Sequence, residues 1–139
     1  MGEPLVLIVN PIATRARAGL RVRVEETLRP LGLAEVVAAL RGAGLAVLAA
    51  DGTGEHDLDD LLDHAARVTA SPGASHAPGT PDLTRPTAWV FGNEAWGLPA
   101  EDRGLADAVV RVPLRGRAES LNLATAATLC LYASGRAQR

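Results

Sequence analysis

An α/β domain with a mostly parallel sheet flanked by helices is the fold class this 139-residue chain predicts. Three observations point there. Short unbroken apolar runs, Leu5-Val6-Leu7-Ile8-Val9 and Leu45 to Ala50, have the length and composition of strands buried on both faces. Stretches with apolar residues at helical spacing lie between such runs. Polar or glycine-containing turns close the runs, and strands alternating with helices argue for crossover connections in one sheet.

Leu5 to Val9 is closed by Asn10-Pro11 and is expected as an interior strand of the parallel sheet. From about Ala18 to Arg29, Leu20, Val24 and Leu28 recur at four-residue steps with Glu25 and Glu26 between them. That is an amphipathic helix, ended by Pro30 and Gly32. A second helix is expected over about Ala34 to Arg41, stopping at Gly42 and Gly44. Leu45 to Ala50 reads as the next buried strand, with Asp51-Gly52-Thr53-Gly54 as its exit turn. Leu58, Leu61, Leu62, Ala65 and Val68 then form one face of a third helix, whose acidic first turn suits the positive end of the helix dipole.

Residues 70–86 hold four prolines, two glycines and almost no large apolar side chain, so a mobile loop inserted within one domain is expected there. Beyond it, Thr87 to Gly92 is expected as a strand, Pro99 to Ala106 as a short helix, Ala108 to Pro113 as a strand and Glu119 to about Ser134 as the closing helix. The closing helix carries Leu121, Ala124, Thr128 and Leu131 on one side and Leu123, Ala127 and Cys130 on the adjoining one. A stripe that wide predicts burial on two fronts.

The length suits one folding unit, residues 1–139. All fourteen basic residues are arginine, and against sixteen acidic residues the net charge is -2, which gives no global reason to bind nucleic acid. Any RNA contact must be local. Arg15, Arg17, Arg21 and Arg23 cluster early, and Arg111, Arg115 and Arg117 cluster late. Each cluster reads either as a basic patch or as a solvated charged face.

No apolar run approaches a membrane span or a signal-peptide core, so a cytoplasmic chain is expected. Cys130 is the single cysteine, which excludes an internal disulfide, and its helix predicts a buried, inert thiol. His56, His64 and His76 lie in acidic or Pro/Gly-rich stretches and are expected to face solvent. No His/Cys cluster has metal-ligand spacing, and no metal is expected.

Two segments carry most of the functional information. Val90-Phe91-Gly92-Asn93-Glu94-Ala95-Trp96-Gly97-Leu98-Pro99 and Arg111-Val112-Pro113-Leu114-Arg115-Gly116-Arg117-Ala118-Glu119-Ser120-Leu121-Asn122-Leu123-Ala124 are each a strand running into a polar turn. The glycines let backbone approach a ligand closely. The Asn93 amide, Glu94 carboxylate and Trp96 indole give the first turn the means to specify one. These segments resemble the second and third signature motifs of the SpoU/TrmH branch of the knotted, SPOUT-type RNA methyltransferases. The resemblance covers the C-terminal part of the chain.

That resemblance implies a trefoil knot in the C-terminal half, a homodimer packed through the closing helix, and transfer of a methyl group from S-adenosyl-L-methionine to a ribose 2'-hydroxyl of rRNA or tRNA. It places Phe91, Gly92, Asn93, Glu94, Gly97, Leu98, Val112, Leu114, Ser120 and Leu121 around the cofactor. Glu94, Ser120 and Asn122 would border the reacting centre, the carboxylate orienting an arginine or the positive donor and the two polar groups fixing the acceptor's sugar or phosphate. Helix capping is the competing reading of Ser120 and Asn122. Arg115, Arg117 and Trp96 are the RNA-contact candidates, Trp96 either stacking on a base or packing against the loop.

The family's first motif places an asparagine and a glycine after strand one and an arginine on the next helix. Here the corresponding stretch, Asn10-Pro11-Ile12-Ala13-Thr14-Arg15-Ala16-Arg17-Ala18-Gly19, resembles instead the start of a diacylglycerol-kinase-type lipid kinase, over about thirty residues. The family's usual strand and helix before Glu35 are also short or missing. Three readings stand: a compact enzyme using Arg15, Arg17 or Arg21 in the missing role, with Arg15 and Arg21 the better placed; a non-catalytic RNA-binding or dimerisation relic; or a fused chain that keeps only the C-terminal half of the fold. A nucleotide-binding kinase remnant is the further alternative.

Overall fold

The computed structural model describes residues 6–9, 32–92 and 97–139. Along them run β1 (Val6–Val9), α1 (Leu33–Gly42), β2 (Ala46–Ala50), β3 (His56–Asp57), α2 (Leu58–Ala70), β4 (Thr87–Phe91), α3 (Ala100–Arg103), β5 (Ala108–Arg111) and α4 (Leu123–Ala137). The strands form one sheet in the order β1-β4-β2-β5-β3. Neighbours among β4, β2, β5 and β3 are parallel, as the alternating pattern predicts.

The first strand departs from expectation. β1 lies at the end of the order and pairs antiparallel with β4, Val6 opposite Phe91 and Val9 opposite Ala88. A continuous apolar run reports that a strand is covered, but carries no information on its direction or on which strands flank it. The helix expected over residues 18–29 lies outside the described residues. β3 escaped the sequence reading because two residues hold no periodicity.

Alternation along the strands divides the core between the two faces of the sheet. Val47, Ala49, Ala88 and Val90 face α1, where Val36, Val37, Leu40 and Leu98 complete one cluster. Leu48, Trp89, Phe91 and Val110 face the other way, against Leu58, Leu61 and Ala65 of α2 and Ala127, Cys130 and Ala133 of α4. The result is a three-layer α/β/α arrangement. Trp89 is fully buried, its indole Nε1–H donating to Ser134 Oγ at 2.9 Å, so the helix and the central sheet are joined by a satisfied polar contact inside an apolar layer.

Joins between elements follow from the local sequence. α1 ends in a Schellman motif: Gly44 takes φ +87, its N–H bonds the Arg41 carbonyl, and Leu45 N–H bonds the Leu40 carbonyl at 3.1 Å, which turns the chain straight into β2. Asp107 ties three elements together. Its Oδ1 accepts from Arg41 Nε at 2.7 Å, its Oδ2 from Val47 N–H at 2.7 Å, and its own N–H bonds the Val47 carbonyl. At α2 the Asp57 side chain accepts from Asp59 N–H, so the acidic first turn is also capped.

The 71–86 connection is tied down more than its composition suggests. Leu83 is fully buried in the α2/α4 cluster, and Gln138 Nε2 bonds the carbonyls of Leu83 and Arg85. Here too the expected solvent-facing histidines are corrected, since His56, His64 and His76 are all half-buried. His64 and His76 meet edge to face with ring centroids 4.9 Å apart, and His76 Nε2 lies 3.0 Å from Asp82 Oδ1. The loop folds back on α2, and that tertiary contact is what the composition alone does not show.

The closing helix begins later than expected, at Leu123, because Asn122 sits at the N-cap with its side chain accepting from Thr125 N–H at 2.8 Å. Residues 119–122 are not helical. Leu131 and Leu123 both pack against the inner core, while Ala124 and Thr128, expected to be buried beside Leu131, are exposed together with Thr125, Leu129 and Tyr132.

Candidate functional site

The three central parallel strands end at one level. Ala50 of β2 stands opposite Phe91 of β4 and Val110 of β5, so the chain leaves the sheet at three adjacent points: residues 51–55, 92–99 and 112–122. This is the carboxyl edge, where α/β sheets place ligands.

The loop after β4 closes on itself. A Cβ built on Gly92 would overlap the Gly97 carbonyl and the Leu98 amide nitrogen, so the two stems of the loop touch backbone to backbone. Gly97 takes φ +70, a left-handed conformation that side chains disfavour. Glycine is thus required at both sides of this neck, for close approach at one and for backbone geometry at the other. Phe91 and Leu98 turn their side chains into the two core clusters, each 2–3 % exposed, and offer a ligand only their backbone.

Asp51 ties its own turn to the end of β5 and to the segment after β4. Its N–H bonds the Val110 carbonyl of β5 at 3.0 Å. Its Oδ1 accepts from Thr53 N–H at 2.9 Å and Thr53 Oγ1 at 2.6 Å, and lies 3.4 Å from the Arg103 guanidinium on α3. Its Oδ2 is 3.8 Å from the position of a Cβ on Gly97. Burial pushes this carboxyl upward, but the hydrogen bonds from Thr53, the positive Arg103 and the Leu98 backbone amide together hold it below its ordinary value. The sequence reading treated Asp51-Gly52-Thr53-Gly54 as a turn and nothing more. The missed signal was a carboxylate placed at the carboxyl end of a buried strand.

Beside it, the β2–β3 connection passes over the end of β5, because β5 lies between these two consecutive strands. Gly54 makes the crossing: a Cβ there would stand 2.6 Å from Arg111 N. Arg111 clamps the same crossing, donating to the Gly54 carbonyl at 2.9 Å and reaching Asp57 Oδ2 at 3.4 Å. Arg111 is therefore a structural cation, separate from the exposed Arg115 and Arg117 with which the sequence groups it.

In the third exit, Val112 and Leu121 are half-buried and Leu114 is 37 % exposed, which leaves apolar surface at the carboxyl edge. Gly116 takes φ +99. Arg115 and Arg117 are exposed, Arg115 reaching Asp59 only at 3.5 Å. Ser120 is exposed, and Asn122 spends its side-chain oxygen on the cap of α4. Of the site residues expected from sequence, Gly92, Gly97 and Leu98 lie on the second exit and Val112, Leu114, Arg115, Arg117, Ser120, Leu121 and Asn122 on the third, while Phe91 ends β4. Arg15, Arg17, Arg21, Asn93, Glu94 and Trp96 lie outside the described residues.

A mostly parallel α/β domain with a glycine-necked loop at its carboxyl edge is the class this geometry defines. The family model for the SpoU rRNA Methylase family matches residues 4–132, and the chain belongs to that family. A tRNA (guanosine(18)-2'-O)-methyltransferase of Thermus thermophilus is 42% identical over 55 residues, 40% of this chain and 28% of that protein. An uncharacterized tRNA/rRNA methyltransferase of Mycolicibacterium smegmatis is 31% identical over 131 residues, 94% of this chain and 35% of that protein. Among solved structures, the SpoU methyltransferase AviRb from Streptomyces viridochromogenes in complex with the cofactor AdoMet is 33% identical, with a TM-score of 0.51, over 73% of this chain and 33% of that one. The chain thus spans about a quarter to a third of the length of these relatives.

Proposed function

We propose that this chain is the methyltransferase domain of an S-adenosyl-L-methionine-dependent enzyme that methylates a ribose 2'-hydroxyl of rRNA or tRNA. The observation that carries the reading is the Gly92–Gly97 neck beside the ends of β2 and β5, within the residues the family model covers. The names of the relatives and the AdoMet-bound structure at 33% identity support it.

The residues fit the cofactor. A neck without side chains gives bare backbone donors and acceptors, and Val112, Leu114 and Leu121 supply apolar surface of the kind a purine ring packs on. Gly92, Gly97 and Leu98 would hold the nucleoside through backbone, with Asn93 and Phe91 flanking them. The bound cofactor supplies the electrophilic methyl group. The chain's own part is to orient and to handle a proton: Ser120 and Asn122 border the acceptor, Glu94 orients the arginine, and Arg15 or Arg21 meets the hydroxyl. Positioning of donor and acceptor accounts for most of the rate. Arg115 and Arg117, exposed on the third exit, meet phosphate, and Trp96 meets a base.

The crossing of residues 51–55 over β5 supports threading of the segment that follows β5, and we read the domain as a trefoil knot, an exception to the rule that chains avoid knots. The exposed Thr125, Thr128, Leu129 and Tyr132 on α4, with Tyr132 61 % exposed, support a homodimer packed on this helix. No described helix is long and apolar enough to cross a membrane, and the reading places the enzyme in the cytoplasm.

Transfer of a labelled methyl group from S-adenosyl-L-methionine to bulk rRNA or tRNA, followed by nucleoside analysis, tests the activity. A 2'-O-methylated nucleoside is expected. Cofactor binding with no transfer to either RNA would favour the non-catalytic relic.

A further inference from the structure

Asp51 is too well anchored to serve as a loose surface carboxylate. Its side chain is 11% exposed. Among the described residues, its carboxylate meets groups of its own turn, of the segment after β4 and of the helix that follows that segment. Thr53 holds Oδ1 from within its own turn, Arg103 approaches from α3, and Oδ2 faces the Gly97–Leu98 stem.

The geometry matters because α3 begins only two residues after Leu98. Arg103 and Leu98 therefore grip Asp51 from two points of one short segment, and the segment is what fixes the second stem of the 92–98 loop. Gly97 supplies no side chain of its own to hold that stem, which otherwise rests on the backbone contact with Gly92 and on the buried Leu98 side chain. Leu98 packs the stem into the core, and the Asp51 carboxylate adds a polar hold on its backbone.

We propose that Asp51 and Arg103 are positioning residues that latch the Gly97–Leu98 stem against the end of β2, and so preorganise the loop that receives the nucleoside part of the methyl donor. This rests on the reading of that loop as the cofactor loop. A preorganised loop binds without the cost of ordering itself, so the latch acts on affinity. Neither residue touches the reacting atoms.

Amide hydrogen exchange and titration with S-adenosyl-L-methionine, both on the full chain, test the latch. In Asp51→Ala and in Arg103→Gln, the Gly97–Leu98 amides should exchange at least tenfold faster while those of Val47–Ala49 stay protected. Cofactor affinity should fall at least tenfold at a temperature where each variant is folded. Arg103→Lys should restore most of the affinity, which loss of simple packing would not predict. Unchanged exchange at Leu98 in both folded variants overturns the latch. Faster exchange with cofactor affinity within twofold of the parent overturns its role in binding. If the parent itself binds no S-adenosyl-L-methionine, the function proposed above fails, while the exchange result still decides the latch.

Discussion

A glycine and a carboxylate set the character of the candidate site. Gly92 cannot carry a Cβ without displacing the Gly97–Leu98 backbone, so Gly92→Ala should open the neck. The expected outcome is loss of cofactor binding at least tenfold beyond any change in stability, read by titration alongside a melting curve. Asp51 adds a pH signature. Its carboxyl is held below the ordinary value of 3.8, so its ionised form favours the folded state. That contribution is complete above the ordinary value and is lost as the pH falls through the lowered one. Asp51→Asn should therefore be less stable than the parent at neutral pH, with the difference shrinking as the pH drops below about 4; denaturant melts at pH 7 and pH 3 check it. Cys130 is expected to be silent. Burial pushes its thiol up to about 12, and a thiol reagent at pH 8 should label the chain only once it is unfolded.

At the scale of elements, α4 is held at its start by Asn122 and in its last turns by Ser134. Asn122→Ala should cost about 1 kcal/mol through loss of the cap alone. Ser134→Ala leaves the Trp89 indole N–H buried without its acceptor, and about 1–3 kcal/mol should be lost in thermal or denaturant unfolding. The sequence made most elements legible, because burial on one helix face or on both strand faces leaves a periodic trace: α1, β2, α2, β4 and β5 all fall where apolar spacing puts them. It did not reveal the antiparallel direction of β1, the two-residue β3, or the docking of residues 71–86 through Leu83. Each of these depends on a distant partner and leaves no periodic trace.

For the whole molecule, the same division holds for function. The two signature segments led directly to the loops at the carboxyl edge, since glycines needed for close backbone approach cannot be replaced without changing the shape. The latch at Asp51 and Arg103 was not legible, because residues 52 positions apart come together only through the β2–β4–β5 register. A structural cation, Arg111, was likewise grouped with the exposed Arg115 and Arg117 because charge in sequence says nothing of what it clamps. Topology joins these pieces: the β2–β3 connection over β5 places the Asp51 turn beside both motif loops, and Gly54 is the point at which that crossing closes.

The most direct measurement is an isothermal titration of the folded chain with S-adenosyl-L-methionine, with ATP as the control ligand. Saturable binding near one cofactor per chain, absent with ATP and lost in Gly92→Ala, is the predicted result. A folded chain that binds no S-adenosyl-L-methionine, or prefers ATP, would contradict the account.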